Sequence, residues 1–323
     1  MTSVHEKLKE MPALGREIAE DGWAYMDGGF VPFADAKVSV ATHALQYGTG
    51  IFEGIRGYWN AAHEELYVFR LREHFERMER SSRILRITLP GTAAELSRLV
   101  VELLRRNGQR TDVYVRPFAY KAARSVKVSL QGLREGFALY AFPLGAYLPT
   151  DGATAVTTSW HRTSDAAIPA RGKLSGSYIN TALAVDEAND RGADEAIFLT
   201  ADGQVSEGGG SNLFMVRDGA LVTPPVTADI LEGITRDSVM TLAREELGLA
   251  VVERSIDRTE LYVADELFFS GTGAQIAPCV RIDGRAVGSG RIGPVAKRLG
   301  DVYFAVARGD DPRHPEWRTP VFR

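Results

Sequence analysis

Lys173 stands in the run Arg171-Gly172-Lys173-Leu174-Ser175-Gly176-Ser177-Tyr178, with small residues around it and a tyrosine five positions on. Most lysines are solvated surface cations. One flanked by Gly and Ser, with room for something large beside it, reads instead as a buried reactive amine. Such an amine attacks a carbonyl carbon only as the free base, a form favoured by burial or a neighbouring cation. Downstream, Glu207 lies in Val205-Ser206-Glu207-Gly208-Gly209-Gly210-Ser211-Asn212. The glycine run lets backbone approach a flat ring closely, and a carboxylate held against a ring nitrogen keeps that nitrogen protonated.

Two further segments are rich in backbone donors. Gly233-Ile234-Thr235-Arg236 opens a helix, whose free N–H groups and dipole suit a phosphate. Ser270-Gly271-Thr272-Gly273 has the makings of a concave nest of amides. His74 and Arg77 share one helix face, and the Arg77 fork suits a phosphate. Tyr114 and Arg116 alternate with Val113, Val115 and Pro117, so a strand presents both on one side. A hydroxyl and a guanidinium there suit a substrate carboxylate. Taken singly, each has an ordinary explanation: a surface cation, an exposed acid, a Thr cap, a tight turn. Together they are the parts that pyridoxal phosphate requires.

These residues need a scaffold of alternating strands and helices. Tyr25 to Val31 reads as a hairpin, Leu66 to Phe69 as a buried strand, Arg72 to Leu85 and Thr92 to Arg106 as helices, and Thr111 to Tyr120 and Phe137 to Phe142 as strands. Pro143, Gly145, Pro149 and Gly152 mark a break. The second half reopens with a strand at Ala155 to Trp160 and a helix at about Ser177 to Asn189. Hairpins turning at Asp202-Gly203 and Asp218-Gly219 follow, then a helix from Thr235 to Glu246 and a strand at Leu267 to Phe269. The stretch from Arg308 to Arg323, rich in Pro and charge, is expected to be a loose tail.

The chain has 323 residues, a net charge of -4 and one cysteine, Cys279. That length supports two domains. The charge gives no basic surplus for nucleic acid. A single cysteine allows neither an intrachain disulfide nor a paired-cysteine metal site, and no metal is expected. No stretch approaches the roughly 20 apolar residues a membrane-spanning helix needs, and Met1 to Glu20 lacks the apolar run of a signal peptide. A cytoplasmic protein without membrane or nucleic-acid partners is the expectation.

Read together, the segments from about Trp23 to Val306 resemble the fold-type IV pyridoxal-phosphate enzymes, specifically the branched-chain amino acid aminotransferases. The matching pieces include His43 to Gly48, Phe52-Glu53-Gly54-Ile55-Arg56, His74 to Arg77, Tyr114-Val115-Arg116-Pro117, Phe142 to Leu148, Lys173 with Tyr178, Ser206-Glu207-Gly208, Gly233 to Asp237 and Ser270 to Gly273. The resemblance implies an α/β (α+β) fold of two domains. A smaller N-terminal α/β domain spans 1–144, a loop 145–153, and a larger, barrel-like, cofactor-binding C-terminal α/β domain 154–323.

By the same resemblance, Lys173 carries pyridoxal 5′-phosphate and moves the proton of catalysis. Tyr178 bonds the phenolic oxygen and Glu207 the ring nitrogen. Arg77, Ile234, Thr235 and Thr272 hold the phosphate. Tyr114 with the amides of Thr272 and Gly273 takes the α-carboxylate. Tyr47, Phe52, Tyr147 and Tyr178 line an apolar side-chain pocket, with Tyr47 reaching across from a partner subunit of a homodimer or higher homo-oligomer, and Gly54 and Leu144 also belong to the substrate site. Arg116 meets the side-chain carboxylate of glutamate. The implied substrates are branched-chain amino acids, glutamate and their 2-oxo acids. The family commonly has tryptophan where this chain has Leu144, a Gly-rich loop where it has Ala122 to Val128, and alanine where it has Gly273; these departures bear on the preferred donor. Competing readings are another fold-type IV activity (an amine or D-amino acid transaminase, or aminodeoxychorismate lyase) and a non-catalytic binding protein. Retention of Lys173 and Glu207 argues against the last.

Overall fold

The computed structural model describes Ile18 and residues 21–323; apart from Ile18, the stretch Met1 to Glu20, expected to be no signal peptide, lies outside the described residues. Two sheets organise the chain. The first is built from β1 (Trp23–Met26), β2 (Gly29–Pro32), β3 (Gly50–Phe52), β4 (Ile55–Asn60), β5 (Glu65–Phe69), β6 (Val113–Lys121), β7 (Glu135–Pro143) and the late β17 (Arg318–Pro320). Its order is β17-β5-β4-β6-β7-β1-β2, with β3 on β6, and every pairing is antiparallel. The β1–β2 hairpin closes through Asp27 and Gly28, both at positive φ, as a two-residue turn needs to match strand twist.

Helices α1 (His43–Tyr47), α2 (Leu71–Ile84) and α3 (Ala93–Arg106) belong to this half. Helix α3 starts where Thr92 and Glu95 cap each other's backbone N–H groups, and the chain turns away at Gly108 (φ 58°). Helices α2 and α3 bury Phe75, Met78, Leu96, Val100 and Leu103 against Val113, Val115 and Leu139.

The second sheet comprises β8 (Ala153–His161), β9 (Glu195–Leu199), β10 (Val205–Gly208), β11 (Asn212–Arg217), β12 (Ala220–Thr223), β13 (Ala250–Glu253), β14 (Glu266–Gly271), β15 (Gln275–Ile282) and β16 (Arg285–Ala286). The order is β10-β9-β8-β15-β14-β11-β12-β13, with β16 on β15. Three pairings, β8–β9, β8–β15 and β12–β13, are parallel. Helix α4 (Tyr178–Asp190) crosses between β8 and β9, placing Ala184 and Ala188 on Val156, Ala196 and Phe198. Helices α5 (Ile234–Leu247) and α6 (Pro294–Arg308) cover the other side: Val239, Leu242, Leu299 and Val302 pack on Phe214 and Phe268. That core also takes in Tyr58 and Phe69 from the first sheet, so one apolar layer binds the two sheets together.

The expectation of a loose tail is corrected. Arg318–Pro320 pairs antiparallel with β5, and Trp317 and Val321 are buried. The Glu65 carboxylate accepts from the backbone N–H groups of Val321 (2.9 Å), Phe322 (2.7 Å) and Arg323 (3.0 Å). The physical reason is the edge of β5, whose unpaired backbone groups need a partner, supplied from some 250 positions away. Local composition carries no sign of so distant a pairing.

Candidate active site

A cavity of about 760 Å³ opens where the sheets meet. It is lined by Phe52, Gly54, Arg77, Tyr114, Arg116, Leu144, Tyr147, Lys173, Tyr178, Glu207, Ile234, Thr235, Thr272 and Gly273, every site residue expected from the sequence except Tyr47. Tyr47 points elsewhere: it is about two-fifths exposed and donates to the Val126 carbonyl at 3.1 Å.

Lys173 sits in the loop before α4. Its backbone N–H donates to Ser81 Oγ (3.1 Å) and its carbonyl accepts from Phe52 N–H (3.1 Å), which fixes the loop to α2 and β3. The amine donates to Tyr178 Oη at 2.6 Å and lies 4.9 Å from the Phe52 ring centre. The small neighbours are explained here: Gly176 packs against Gly48, where a Cβ on Gly48 would come within 2.6 Å of the Gly176 Cα.

Glu207 is the penultimate residue of β10 and is buried. One oxygen pairs with Arg162 Nη2 at 2.7 Å; the other accepts from Asn212 Nδ2 (2.9 Å) and Leu231 N–H (3.1 Å). Burial pushes this carboxyl above its ordinary range, against the opposing pull of Arg162, the Leu231 amide and Lys173. A carboxyl so placed readily shares a proton with a ring nitrogen.

Helix α5 begins at Gly233 with no side-chain cap, so its first N–H groups, Ile234 and Thr235 among them, face the cavity as free donors. Gly233 is required there: a Cβ would lie 2.0 Å from Asn212 Oδ1. Arg77 closes the cup. Its Nε and Nη2 donate to the two oxygens of Glu53 (2.8 and 2.7 Å), and Nη1 donates to the Glu232 carbonyl (3.0 Å). Three of its five N–H groups are thus used and two remain for an anion. His74 donates from Nδ1 to Glu53 at 2.7 Å. Burial would raise the Glu53 carboxyl, but the Arg77 charge and the Arg77 and His74 hydrogen bonds hold it at about 2.

On the opposite wall β6 presents Tyr114 and Arg116. Arg116 Nη2 lies 3.2 Å from Tyr114 Oη, and its guanidinium covers the Phe52 ring at 4.4 Å. Gly54 makes room for Tyr114, since a Cβ there would be 1.8 Å from the hydroxyl. Arg56, fully buried, donates to the carbonyls of Leu144, Gly145 (2.5 Å), Thr272 (3.3 Å) and Gly273 (3.5 Å), tying the two loops of this wall together. In a trans peptide the C=O and N–H point opposite ways. The Thr272 carbonyl faces Arg56, so the Gly273 N–H points away from it.

Sequence reasoning gave no role to Arg56, Arg162, Asn212 or Glu195. Glu195 lies buried behind the glycine loop and accepts from Gly209 N–H (3.1 Å); burial pushes its carboxyl up to about 7. Glu53 and Arg56 were visible inside Phe-Glu-Gly-Ile-Arg, whereas Arg162 and Glu195 lie in no motif. The residues present fit pyridoxal 5′-phosphate: an amine, a buried carboxyl for a ring nitrogen, a helix start with free amides, and two buried polar atoms on the wall, Arg116 Nε and Ser270 Oγ, without a hydrogen-bond partner among the described residues.

Residues 50–282 match the amino-transferase class IV family model. The chain is 44% identical over 301 residues to the probable branched-chain-amino-acid aminotransferase of Aquifex aeolicus, covering 93% of this chain and 97% of the relative. To the Escherichia coli K12 branched-chain-amino-acid aminotransferase it is 41% identical, covering 93% and 97%. The crystal structure of the Thermoproteus uzoniensis branched-chain aminotransferase with norvaline superposes with a TM-score of 0.90 at 44% identity, over 93% of this chain and 99% of that one. The Thermobaculum terrenum branched-chain amino acid aminotransferase in its PLP-bound holo form also gives 0.90, at 39% identity, over 94% and 100%.

The chain therefore belongs to the class IV aminotransferases. Its cofactor is pyridoxal 5′-phosphate, and the relatives just described are its branched-chain amino acid members.

Proposed function

We propose that this chain reversibly transfers the amino group of an L-branched-chain amino acid to 2-oxoglutarate, giving the 2-oxo acid and L-glutamate. Arg116 carries the reading: a half-buried guanidinium, its Nε enclosed and without a hydrogen-bond partner among the described residues, stands in the wall of the same cavity that holds Lys173 and Glu207. A pocket walled by Phe52, Leu144 and Tyr147 accepts an aliphatic side chain, and Arg116 within it accepts an acidic one. A transaminase that returns one cofactor through two donors needs both.

Pyridoxal phosphate, when bound, supplies the carbonyl that receives the amino group and a ring that draws electrons from the substrate Cα. The chain does the rest. The α5 start and Arg77 bind the phosphate. Tyr178, 2.6 Å from the lysine amine, orients Lys173, which moves the proton at the substrate Cα. Glu207 holds the proton at the ring nitrogen, braced by Arg162 and Asn212. Tyr114 and the amides of Thr272 and Gly273 bind the α-carboxylate.

The assembly is read as a homodimer or higher homo-oligomer in the cytoplasm, each chain divided at 145–153 into two domains, with the C-terminal strand β17 returning to the first sheet. Tyr47, turned away from its own cavity toward the exposed Val126, on a stretch of chain that also exposes Val38, Val40 and Leu45, supports a site completed by a second copy. No helix among the described residues is long and apolar enough to cross a membrane. A panel of amino donors, assayed with 2-oxoglutarate and separately with pyruvate, tests the reaction. Leucine, isoleucine and valine should lead with 2-oxoglutarate. A lead by D-amino acids or amines, or pyruvate formation from aminodeoxychorismate, would replace the proposal with the other class IV activities.

A further inference from the structure

Ser270 ends the buried run of β14, and its hydroxyl has no hydrogen-bond partner among the described residues although it is wholly enclosed. A buried hydroxyl left unpaired is costly, so its place in a cavity wall points to a ligand atom. Strand geometry says which one. In the β11–β14 pairing Asn212 stands opposite Ser270 and Phe214 opposite Phe268. Side chains two apart on a strand share a face, so Ser270 lies on the side of Phe268, whose ring stacks on Phe214 at 5.1 Å and packs under α5.

On that face the next neighbour is Asn212, which donates to the Leu231 carbonyl and whose Oδ1 fills the space a Cβ on Gly233 would need. Ser270 thus sits beneath the first turn of α5, beside the free Ile234 and Thr235 amides. Asn212 has its amide committed to Glu207 and Leu231. Ser270 is the one side chain of this cross-strand pair left with a hydroxyl to donate.

We propose that the Ser270 hydroxyl is a direct donor to the cofactor phosphate, a binding residue additional to Arg77, Thr235 and Thr272. This rests on the assignment of the cavity to a pyridoxal-phosphate enzyme. The O–H donates to a phosphate oxygen and thereby satisfies a group that the described residues leave unpaired.

The test uses pyridoxamine 5′-phosphate, which forms no bond to Lys173, and pyridoxamine, which lacks the phosphate. Binding to full-length cofactor-free protein and its Ser270→Ala and Ser270→Cys variants is measured by titration, alongside melting without ligand. Ser270→Ala should bind pyridoxamine 5′-phosphate about ten- to a hundredfold more weakly, the range for a hydrogen bond to a charged group. Pyridoxamine affinity should not change, and the ligand-free melting temperature should hold or rise, because no protein partner is lost. Ser270→Cys, of similar size with a weaker donor, should show the same selective loss. Unchanged phosphate-ligand affinity in both variants would overturn the proposal. So would an equal loss with pyridoxamine, which would put the hydroxyl on the ring, or a fall in ligand-free melting, which would make it structural. Failure of the unaltered protein to bind pyridoxamine 5′-phosphate at all would instead sink the cofactor assignment itself.

Discussion

Two arginines line the same cavity, Arg77 buried and Arg116 half-buried, and they are treated in opposite ways. Arg77 is surrounded by fixed partners: both oxygens of Glu53, with His74 behind, and the Glu232 carbonyl. Arg116 makes no ion pair among the described residues; it has a tyrosine hydroxyl, an aromatic face and a free Nε. The first arrangement suits a cofactor that stays in place, because the guanidinium is locked in one orientation before any ligand arrives. The second suits substrates that come and go with different charges. A fixed carboxylate beside Arg116 would compete with glutamate, while an aliphatic side chain can lie against the same wall because Arg116 rests its charge on Phe52.

Lys173 shares the cavity with both arginines, and its removal should have the largest effect. Lys173→Ala should cut transamination by roughly 10²–10⁴-fold or more, the contribution of a positioned proton-transfer group. It should also abolish the borohydride-reducible attachment of cofactor seen by mass spectrometry. Near-normal turnover with the adduct intact would show that another amine carries the chemistry.

Glu53→Gln breaks the locked end. It removes one partner of a buried ion pair and should cost roughly 3–5 kcal/mol of stability near neutral pH, measured by denaturant unfolding. The pH dependence follows from the depressed carboxyl. Glu53 lies at about 2 in the folded protein against an ordinary 4.5. Its contribution is therefore complete above about 4.5 and is lost as the pH falls toward 2. The gap between the unaltered protein and Glu53→Gln should narrow across that window. A gap constant from pH 7 down to 3 would mean that the carboxylate charge is not what holds Arg77.

Arg116→Leu probes the open end and should have the smallest, most selective effect. Loss of a charge-assisted hydrogen bond, about 1.5–3 kcal/mol, should lower kcat/KM for glutamate about ten- to a hundredfold. Leucine should be nearly unaffected in the same stopped-flow half-reactions. Equal losses with both donors would reassign Arg116 to the α-carboxylate or to the fold.

Much of this site was legible in the chain itself, because its chemistry is written in short contiguous runs. Lys173 with Tyr178 is a five-residue spacing, and the uncapped start of α5 is the Gly-Ile-Thr run. Tyr114 and Arg116 share a face because strands repeat every two residues. Helix α3 announced its first turn through Thr92, and the Asp-Gly pairs placed two hairpins. The reactive groups, the local elements that carry them and the family they resemble were thus readable from the order of residues alone.

Only the tertiary structure decided what those groups lean on. Arg162 reaches Glu207 from 45 positions away, Glu53 meets Arg77 across two elements, Arg56 joins loops 144–145 and 272–273, and the supposed tail becomes the edge strand beside β5. Tyr47 faces away from the cavity of its own chain for the same class of reason. These contacts satisfy buried charges, carbonyls and sheet edges. Such groups must find a partner of the right polarity but place no demand on how far along the chain that partner lies, so they leave no periodicity or spacing to be read in advance.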